Sequence, residues 1–246
     1  MFLEFDGTAY SGWQIQPDAP SVQQCLEDSL SLFLRERISV TGAGRTDAGV
    51  HAVGMAAHFD TSLPQDCAWM KNKMNGILPR DIAVHAVVPV KSDAHARFDA
   101  VSRTYRYYVT LEKTAFNAGY SWLLPNEPDF QLMNEAAALL LETVDFTSFS
   151  KLHTDTKTND CRVTEAIWRR LDDGRWAFTI TADRFLRNMV RAIVGTLMEV
   201  GRHRMTVEGF RRVIDAHDRC SAGDSAPAHG LFLEEVRYPE SIFCTI

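Results

Sequence analysis

The chain has 246 residues, of which 46% are hydrophobic and 24% charged, as in an ordinary globular protein. No apolar run approaches the roughly 20 residues that a membrane helix needs. The start MFLEFDGTAY has no basic region followed by an apolar stretch, so we expect no secretory signal and a cytoplasmic location. The net charge of −6 counts mildly against a nucleic-acid partner, although phosphate contacts depend on local charge.

The first hundred residues alternate between strand and helix patterns in the order β-α-β-β-α-β. Ser21 to Gln24 form a capping box, in which the Ser hydroxyl and the Gln amide close the start of a helix. The predicted strands are Phe2 to Phe5, Ile38 to Thr41, Ala56 to Phe59 and Ile82 to Val90, and the predicted helices are Val22 to Arg35 and Lys71 to Ile77.

The later residues carry a comparable mixture. Arg184 to Val200 has the strongest helical pattern, because its apolar residues recur at helical spacing and Gly201 supplies a stop. The turn residues Asp172 to Gly174 predict a hairpin. The other predicted elements are helices at Phe130 to Glu142 and Val207 to His217 and strands at Thr104 to Leu111, Thr164 to Leu171, Trp176 to Thr181 and Leu231 to Tyr238.

This order predicts an α+β protein of two related halves, each with helices on a sheet. No low-complexity linker separates the halves. The composition turns basic between Ala94 and Val101, so we place the boundary there, with one half at residues 1–98 and the other at residues 99–246.

The sequence gives little support for a metal site or for a nucleophilic catalytic triad. The five cysteines are odd in number and form no CxxC pair, which argues against a disulfide framework and a thiolate zinc site. HExxH and GxSxG are absent, and the histidines are scattered. Asp47 and Asp60 are compatible with the two-carboxylate arrangement of a hydrolase. The alternative interpretation is that Asp60 only caps the end of a strand.

The segment GAGRTDAGVHA, Gly42 to Ala52, is the strongest candidate for chemistry. Its glycines let the backbone turn sharply and approach a ligand closely, and Arg45 and Asp47 stand between them. It is neither a Walker loop nor a dinucleotide fingerprint, because no Gly-Lys-Ser/Thr follows and Asp47 replaces the third glycine. A tight turn with a surface ion pair is the alternative.

Two segments are locally basic, Arg97 to Lys113 and Arg184 to Arg204. In the first, arginines alternate with aromatic residues, and such rings can stack on unpaired bases while arginines hold phosphates. In the second, Arg184, Arg187 and Arg191 form a row at helical spacing. The alternatives are a core strand with a charged edge and a row of solvated arginines.

Together these segments resemble the tRNA pseudouridine synthase A family over nearly the whole chain and in the same order. GRTDAGVHA is highly specific, and the FLRNMVR segment adds to it. The segments that carry the resemblance are FDGTAYSGWQ, SVQQCLE, GAGRTDAGVHA, HARFDA, RTYRYYV, DFTSF, FLRNMVRAIVGTLMEVG and APAHGLFLEEVRYP.

The resemblance implies roles by position. Asp47 matches the catalytic aspartate, and Arg45 matches the arginine that supports the target nucleotide once it leaves the stack. Tyr105 matches the tyrosine that packs on uracil, Arg191 matches a basic residue that pairs with the aspartate, and Leu231 falls in a strand lining the pocket.

The family further implies RRM or ferredoxin-like halves that share a mostly antiparallel sheet, with helices on one face and a cleft between the halves. It implies a homodimer that grips tRNA, no cofactor and no metal, and modification of the anticodon stem-loop at positions 38 to 40. The candidate RNA contacts are Arg97, Arg103, Arg106 and Arg187. A non-catalytic tRNA-binding or tRNA-folding protein on the same fold is the alternative function.

Overall fold

The computed structural model describes residues 1–62, 66–151 and 158–244. The protein is a mixed α/β structure whose strands pair mostly antiparallel, with five α-helices and nine strands in the described ranges. It divides into two compact units. The first contains Met1–Ser102 together with the segment from Phe232 onward, and the second contains Arg103–Leu231.

The first unit contains a sheet in the order β4-β1-β3-β9. β1 pairs antiparallel with both neighbours, whereas β3 and β9 pair parallel, with His51 opposite Phe232. A short strand, β2, pairs antiparallel with the end of β3. The strands are β1 Phe2–Phe5, β2 Thr41–Gly42, β3 His51–His58, β4 Ile82–Ala86 and β9 Leu231–Arg237.

Two helices accompany this sheet, α1 at Val22–Leu34 and α2 at Cys67–Ile77. The Ser21 hydroxyl accepts a hydrogen bond from the backbone N–H of Gln24, which confirms the predicted N-cap of α1. Leu26 and Leu30 of α1 are fully buried. The amphipathic spacing of α1 therefore supplies part of the core of the first unit.

The predicted strand at Ile38 to Thr41 is wrong for its first three residues. In this segment, backbone N–H groups bond to side chains of α1 and not to a neighbouring strand. The N–H of Ile38 donates to the Ser31 hydroxyl, and the N–H of Val40 donates to the Glu27 carboxylate. Only Thr41 and the following Gly42 pair with β3.

The second unit contains a sheet in the order β5-β8-β7, with antiparallel pairs, and β6 lies parallel to β5. The predicted hairpin is present, and Gly174 in its turn has a φ of 84°, which favours glycine. The strands are β5 Ser102–Thr110, β6 Trp122–Leu123, β7 Val163–Arg170 and β8 Trp176–Ala182, and the helices are α3 Phe130–Ala138, α4 Met189–Gly201 and α5 Val207–Asp215.

The predicted helix from Arg184 is wrong at its start, since α4 begins only at Met189. Asn188 has a φ of 66°, a left-handed conformation that interrupts a helix, and its side-chain amide donates to the Ser225 hydroxyl at 2.7 Å. Arg184 and Arg187 precede this break, so the predicted arginine row does not lie along one helix face.

The C-terminal segment from Phe232 belongs with the first unit, and the predicted division into residues 1–98 and 99–246 stays a prediction. The similarity of the two halves stays a prediction. Along the described ranges, no helix is long and apolar enough to cross a membrane.

Candidate active site

Asp47 lies in the loop between β2 and β3, in the first unit. Its side chain is half-buried, Arg45 is exposed, and Thr46 between them is buried. The carbonyl oxygen of Asp47 accepts a hydrogen bond from the N–H of Val50 at 3.2 Å, which closes a turn just before β3. Gly49 in this turn has a φ of 76°, so the predicted sharp turn needs glycine there.

The segment Ser11 to Trp13 holds this loop from one side. The N–H of Trp13 donates to the carbonyl of Thr46 at 3.3 Å. A Cβ atom on Gly42 would lie 2.5 Å from the indole of Trp13, which is buried. Gly42 is therefore required by packing, whereas a Cβ atom on Gly44 would meet no atom of the described residues within 4 Å.

Asp60 is exposed and lies beyond the opposite end of β3 from Asp47. An eight-residue strand spans roughly 26 Å at about 3.3 Å per residue. Glycosidase carboxylates are separated by only about 5–9.5 Å. The predicted alternative of Asp47 and Asp60 as a hydrolytic pair is therefore wrong.

Arg97 lies in the first unit, in the loop before β5. Its side chain is exposed, with its guanidinium carbon 5.8 Å from the centre of the Phe98 ring. The Nδ1 atom of His95 accepts hydrogen bonds from the N–H groups of Arg97 and Phe98, at 3.1 and 3.3 Å. Phe98 is 74% exposed although its ring lies 4.2 Å from that of His95, so the loop presents a cation and a largely exposed ring side by side.

Tyr105 lies in β5 of the second unit. It is half-buried, and its ring meets the edge of Phe185 at 5.0 Å between centroids and an angle of 85°. Arg106 on the other side of the strand is exposed, which agrees with the predicted alternation. Arg103 is half-buried, and its Nη1 atom donates to the carbonyl of Asp183 at 2.7 Å.

Arg191 lies in the first turn of α4 and is half-buried. Its Nε atom donates to the carbonyl of Ala226 at 2.7 Å, and the N–H of Ala226 donates back to the carbonyl of Arg191 at 2.9 Å. Leu231 is 5% exposed and begins β9. Arg187 is exposed in the segment before α4.

The predicted site residues thus fall into two groups. The first unit brings Arg45 and Asp47 together in one loop and carries Arg97 elsewhere. The second unit contains the remaining residues, which are Arg103, Tyr105, Arg106, Arg187, Arg191 and Leu231.

A family model described as tRNA pseudouridine synthase matches residues 1–99 and 136–239. The chain belongs to the tRNA pseudouridine synthase A family. It is 58% identical over 245 residues to tRNA pseudouridine synthase A of Bacteroides thetaiotaomicron, covering 99% of this chain and 91% of the relative. Proteins of the same name from Parabacteroides distasonis and Porphyromonas gingivalis are each 56% identical, over 99% of this chain and 96% and 98% of their own lengths.

One segment of the second unit received no role from the sequence of this member of the tRNA pseudouridine synthase A family. The loop Ala226 to Gly230, here the 226–230 loop, belongs to the segment APAHGLFLEEVRYP that carried the resemblance. Tyr107, two residues after Tyr105 in β5, is fully buried and donates its hydroxyl to the carbonyl of Pro227 at 2.8 Å. The available signal was strand alternation in RTYRYY, which places Tyr107 on the same face as Tyr105.

Proposed function

We propose that this chain isomerises uridine to pseudouridine at positions 38 to 40 of the tRNA anticodon stem-loop, with Asp47 as its catalytic carboxylate. Its family is one of isomerases that act on tRNA. The observation that carries the role of Asp47 is its place in a loop held against the Ser11–Trp13 segment, where a turn closed by Gly49 fixes a half-buried carboxylate.

The reaction needs little besides positioning and one carboxylate. The N1–C1′ bond of uridine breaks, the base rotates, and C5 joins C1′ while the C5 proton is lost to solvent and N1 gains one. No electrons are exchanged, so the isomerisation is redox-neutral. Asp47 would attack C1′, attack C6 of the uracil or remove the C2′ proton, each a task for an ionised carboxylate.

The target base must leave the helix stack, at a cost of a few kcal/mol. Arg45 is exposed beside Asp47, where its guanidinium can support the flipped nucleotide and hold phosphate. The half-buried ring of Tyr105 offers a face for the uracil, and Arg191 supplies a cation to pair with Asp47. The exposed Arg97, Arg106 and Arg187 and the half-buried Arg103 contact RNA phosphates.

We extend the proposal to the assembly. The two halves are RRM-like, share one sheet with helices on one face, and form a cleft that contains Asp47. The enzyme acts as a homodimer in the cytoplasm and grips one tRNA with both subunits. Two locally basic segments in a chain whose net charge is −6 support an RNA surface confined to that cleft.

Tritium release from tRNA labelled at uridine C5 tests the catalytic role. We expect Asp47→Ala and Asp47→Asn to lower release by about 100-fold or more, because general acid-base or nucleophilic groups contribute on this scale. Asp60→Asn is the matched control, since Asp60 is an exposed carboxylate at the other end of β3. It should release tritium like the wild type.

Three results would separate this proposal from its alternatives. Unchanged release by Asp47→Ala would remove Asp47 from the mechanism. Binding of tRNA without turnover by the wild type, with Asp47→Asn silent, would favour a binding or folding protein. Mass spectrometry of the digested product identifies isomerisation, which leaves the nucleoside mass unchanged, whereas hydrolysis would release a free base.

A further inference from the structure

The 226–230 loop is attached to two other segments of the second unit. Tyr107 of β5 donates its hydroxyl to the carbonyl of Pro227 at 2.8 Å. Arg191 of α4 exchanges two hydrogen bonds with Ala226, through its Nε atom and its backbone carbonyl. The loop therefore joins β5 to the first turn of α4 through consecutive residues.

The ring of Tyr107 also fixes the far end of the loop. A Cβ atom on Gly230 would lie 2.8 Å from Cζ of Tyr107 and 2.9 Å from the carbonyl oxygen of Tyr108. Glycine at this position lets the loop lie directly on the ring. Tyr107 thus holds the loop at Pro227 by a hydrogen bond and at Gly230 by packing.

The hydroxyl of Tyr107 is a permanent donor in this setting. Burial raises the pKa of Tyr107 far above its ordinary value, and the nearby charge of Arg191 offsets this only in part. The hydroxyl therefore stays protonated at every pH at which the protein is handled. Loss of this donor would remove the hydrogen bond that the partly buried carbonyl of Pro227 accepts, and with it one attachment of the loop.

Three residues that matched the family's site lie next to these contacts. Tyr105 precedes Tyr107 by two residues and therefore lies on the same face of β5. Arg191 bonds to Ala226, and Leu231 directly follows Gly230. Tyr107 thus contacts a loop that is bonded to Arg191 and continues directly into Leu231.

We propose that Tyr107 is a positioning residue for the isomerisation, whose hydroxyl fixes the 226–230 loop and thereby sets Arg191 and Leu231 relative to Tyr105. This inference rests on the proposed function. Tyr107 does not touch the substrate itself. It acts because a shift of the loop would carry the guanidinium of Arg191 with it, and small misplacements in a site reduce rates strongly.

The test compares Tyr107→Phe with Ser148→Ala. Phenylalanine keeps the ring against Gly230 and removes only the donor to Pro227. Ser148 is the matched control, because its buried hydroxyl also donates to a backbone carbonyl of the second unit, that of Val213, at 2.6 Å. Tyr107→Phe loses the bond to Pro227, whereas Ser148→Ala loses the bond to Val213 and the one that the Ser148 hydroxyl accepts from the N–H of Asp218. Of these bonds, only the one from Tyr107 reaches the 226–230 loop.

We expect Tyr107→Phe to lower kcat about 10-fold with KM for tRNA within about twofold of the wild type. Hydrogen–deuterium exchange at the amide of Ala226 should become faster, because that N–H bonds to Arg191. Ser148→Ala should keep the wild-type kcat at a temperature where circular dichroism shows every variant folded. Gly230→Ala, which presses on the ring from the loop side, serves as a second variant and should reproduce the loss of kcat.

A wild-type kcat in Tyr107→Phe would overturn the inference, as would a raised KM with unchanged kcat or an equal loss in Ser148→Ala. If Tyr107→Phe does not fold, Gly230→Ala decides by the same criteria. Failure of the proposed function is distinguishable, because the wild type itself would then show no turnover, and the inference would fall with it.

Discussion

A Cβ atom on Gly12 would lie 2.3 Å from the carbonyl oxygen of Thr46, and the φ angle of Gly12 is 101°. The segment that contains Gly12 and the loop that contains Asp47 therefore meet backbone to backbone. Real Cβ atoms do not approach an oxygen this closely, so only glycine permits the contact. The position of Asp47 depends on a residue thirty-five positions earlier.

Gly12→Ala should destabilise the protein by about 2 kcal/mol or more, because the substitution combines a left-handed backbone with a clash against Thr46. Urea unfolding measures the loss. Gly76→Ala is the control: Gly76 lies inside α2, and its Cβ atom would meet no described atom within 4 Å. There alanine should be neutral or stabilise by about 0.5–1 kcal/mol. Equal stability of the two variants would contradict the close contact.

Arg97→Ala and Arg106→Ala should each weaken tRNA binding and reduce the slope of log K against log salt concentration by about 1, because each removes one of the proposed phosphate contacts. Both side chains are exposed. Arg169→Ala is the control, since Arg169 is also exposed, pairs with Glu165 at 2.9 Å and is not among the proposed RNA contacts. Filter binding of tRNA over a salt series measures the slopes. An unchanged slope for Arg97→Ala would exclude that residue from the RNA surface.

The stability of the first unit should depend on the ionisation of His58. Partial burial lowers the pKa of His58 below its ordinary value of 6.5, and the neighbouring His95 lowers this pKa further, while Asp60 and Asp99 act in the opposite direction. The rings of His58 and His95 lie 4.8 Å apart, and Nδ1 of His58 accepts a hydrogen bond from the N–H of Ala96.

Because the folded-state pKa of His58 lies below the unfolded value, the unfolded chain binds more protons between the two values. The contribution of His58 is therefore complete above about pH 6.5 and is lost as the pH falls through the folded-state value. His58→Asn keeps an acceptor for Ala96 and should flatten the pH dependence of the free energy of unfolding in this interval. A variant that retained the wild-type slope would assign the effect to other groups.

Local patterns in the sequence predict much of this fold. The capping box at Ser21, the hairpin around Gly174 and the strand that carries Tyr105 all follow from residues close together in the chain. The Asp47 segment stands out for the same reason, because its glycines and charged residues are adjacent. The roles predicted for its residues come from the resemblance to the family, because spacing alone left them open.

Contacts between distant residues explain what the sequence did not predict. The apolar spacing of α4 continues back through Phe185, so periodicity alone gave a helix that starts too early. In the structure, Asn188 turns left-handed and bonds to Ser225, and Phe185 packs against Tyr105. The bond from Tyr107 to Pro227 likewise joins residues far apart in the chain, so no local pattern predicts it.

The parallel pairing of β3 with β9 has a consequence for synthesis of the protein. On the ribosome, β1, β3 and β4 emerge early, yet the partner that covers the outer side of β3 arrives only after the whole second unit has been made. At about 5–20 residues per second, that interval is on the order of 10 s. Throughout it, the edge of β3 that later pairs with β9 at His51 and Ala52 is unpaired in the nascent chain and exposed to mispairing.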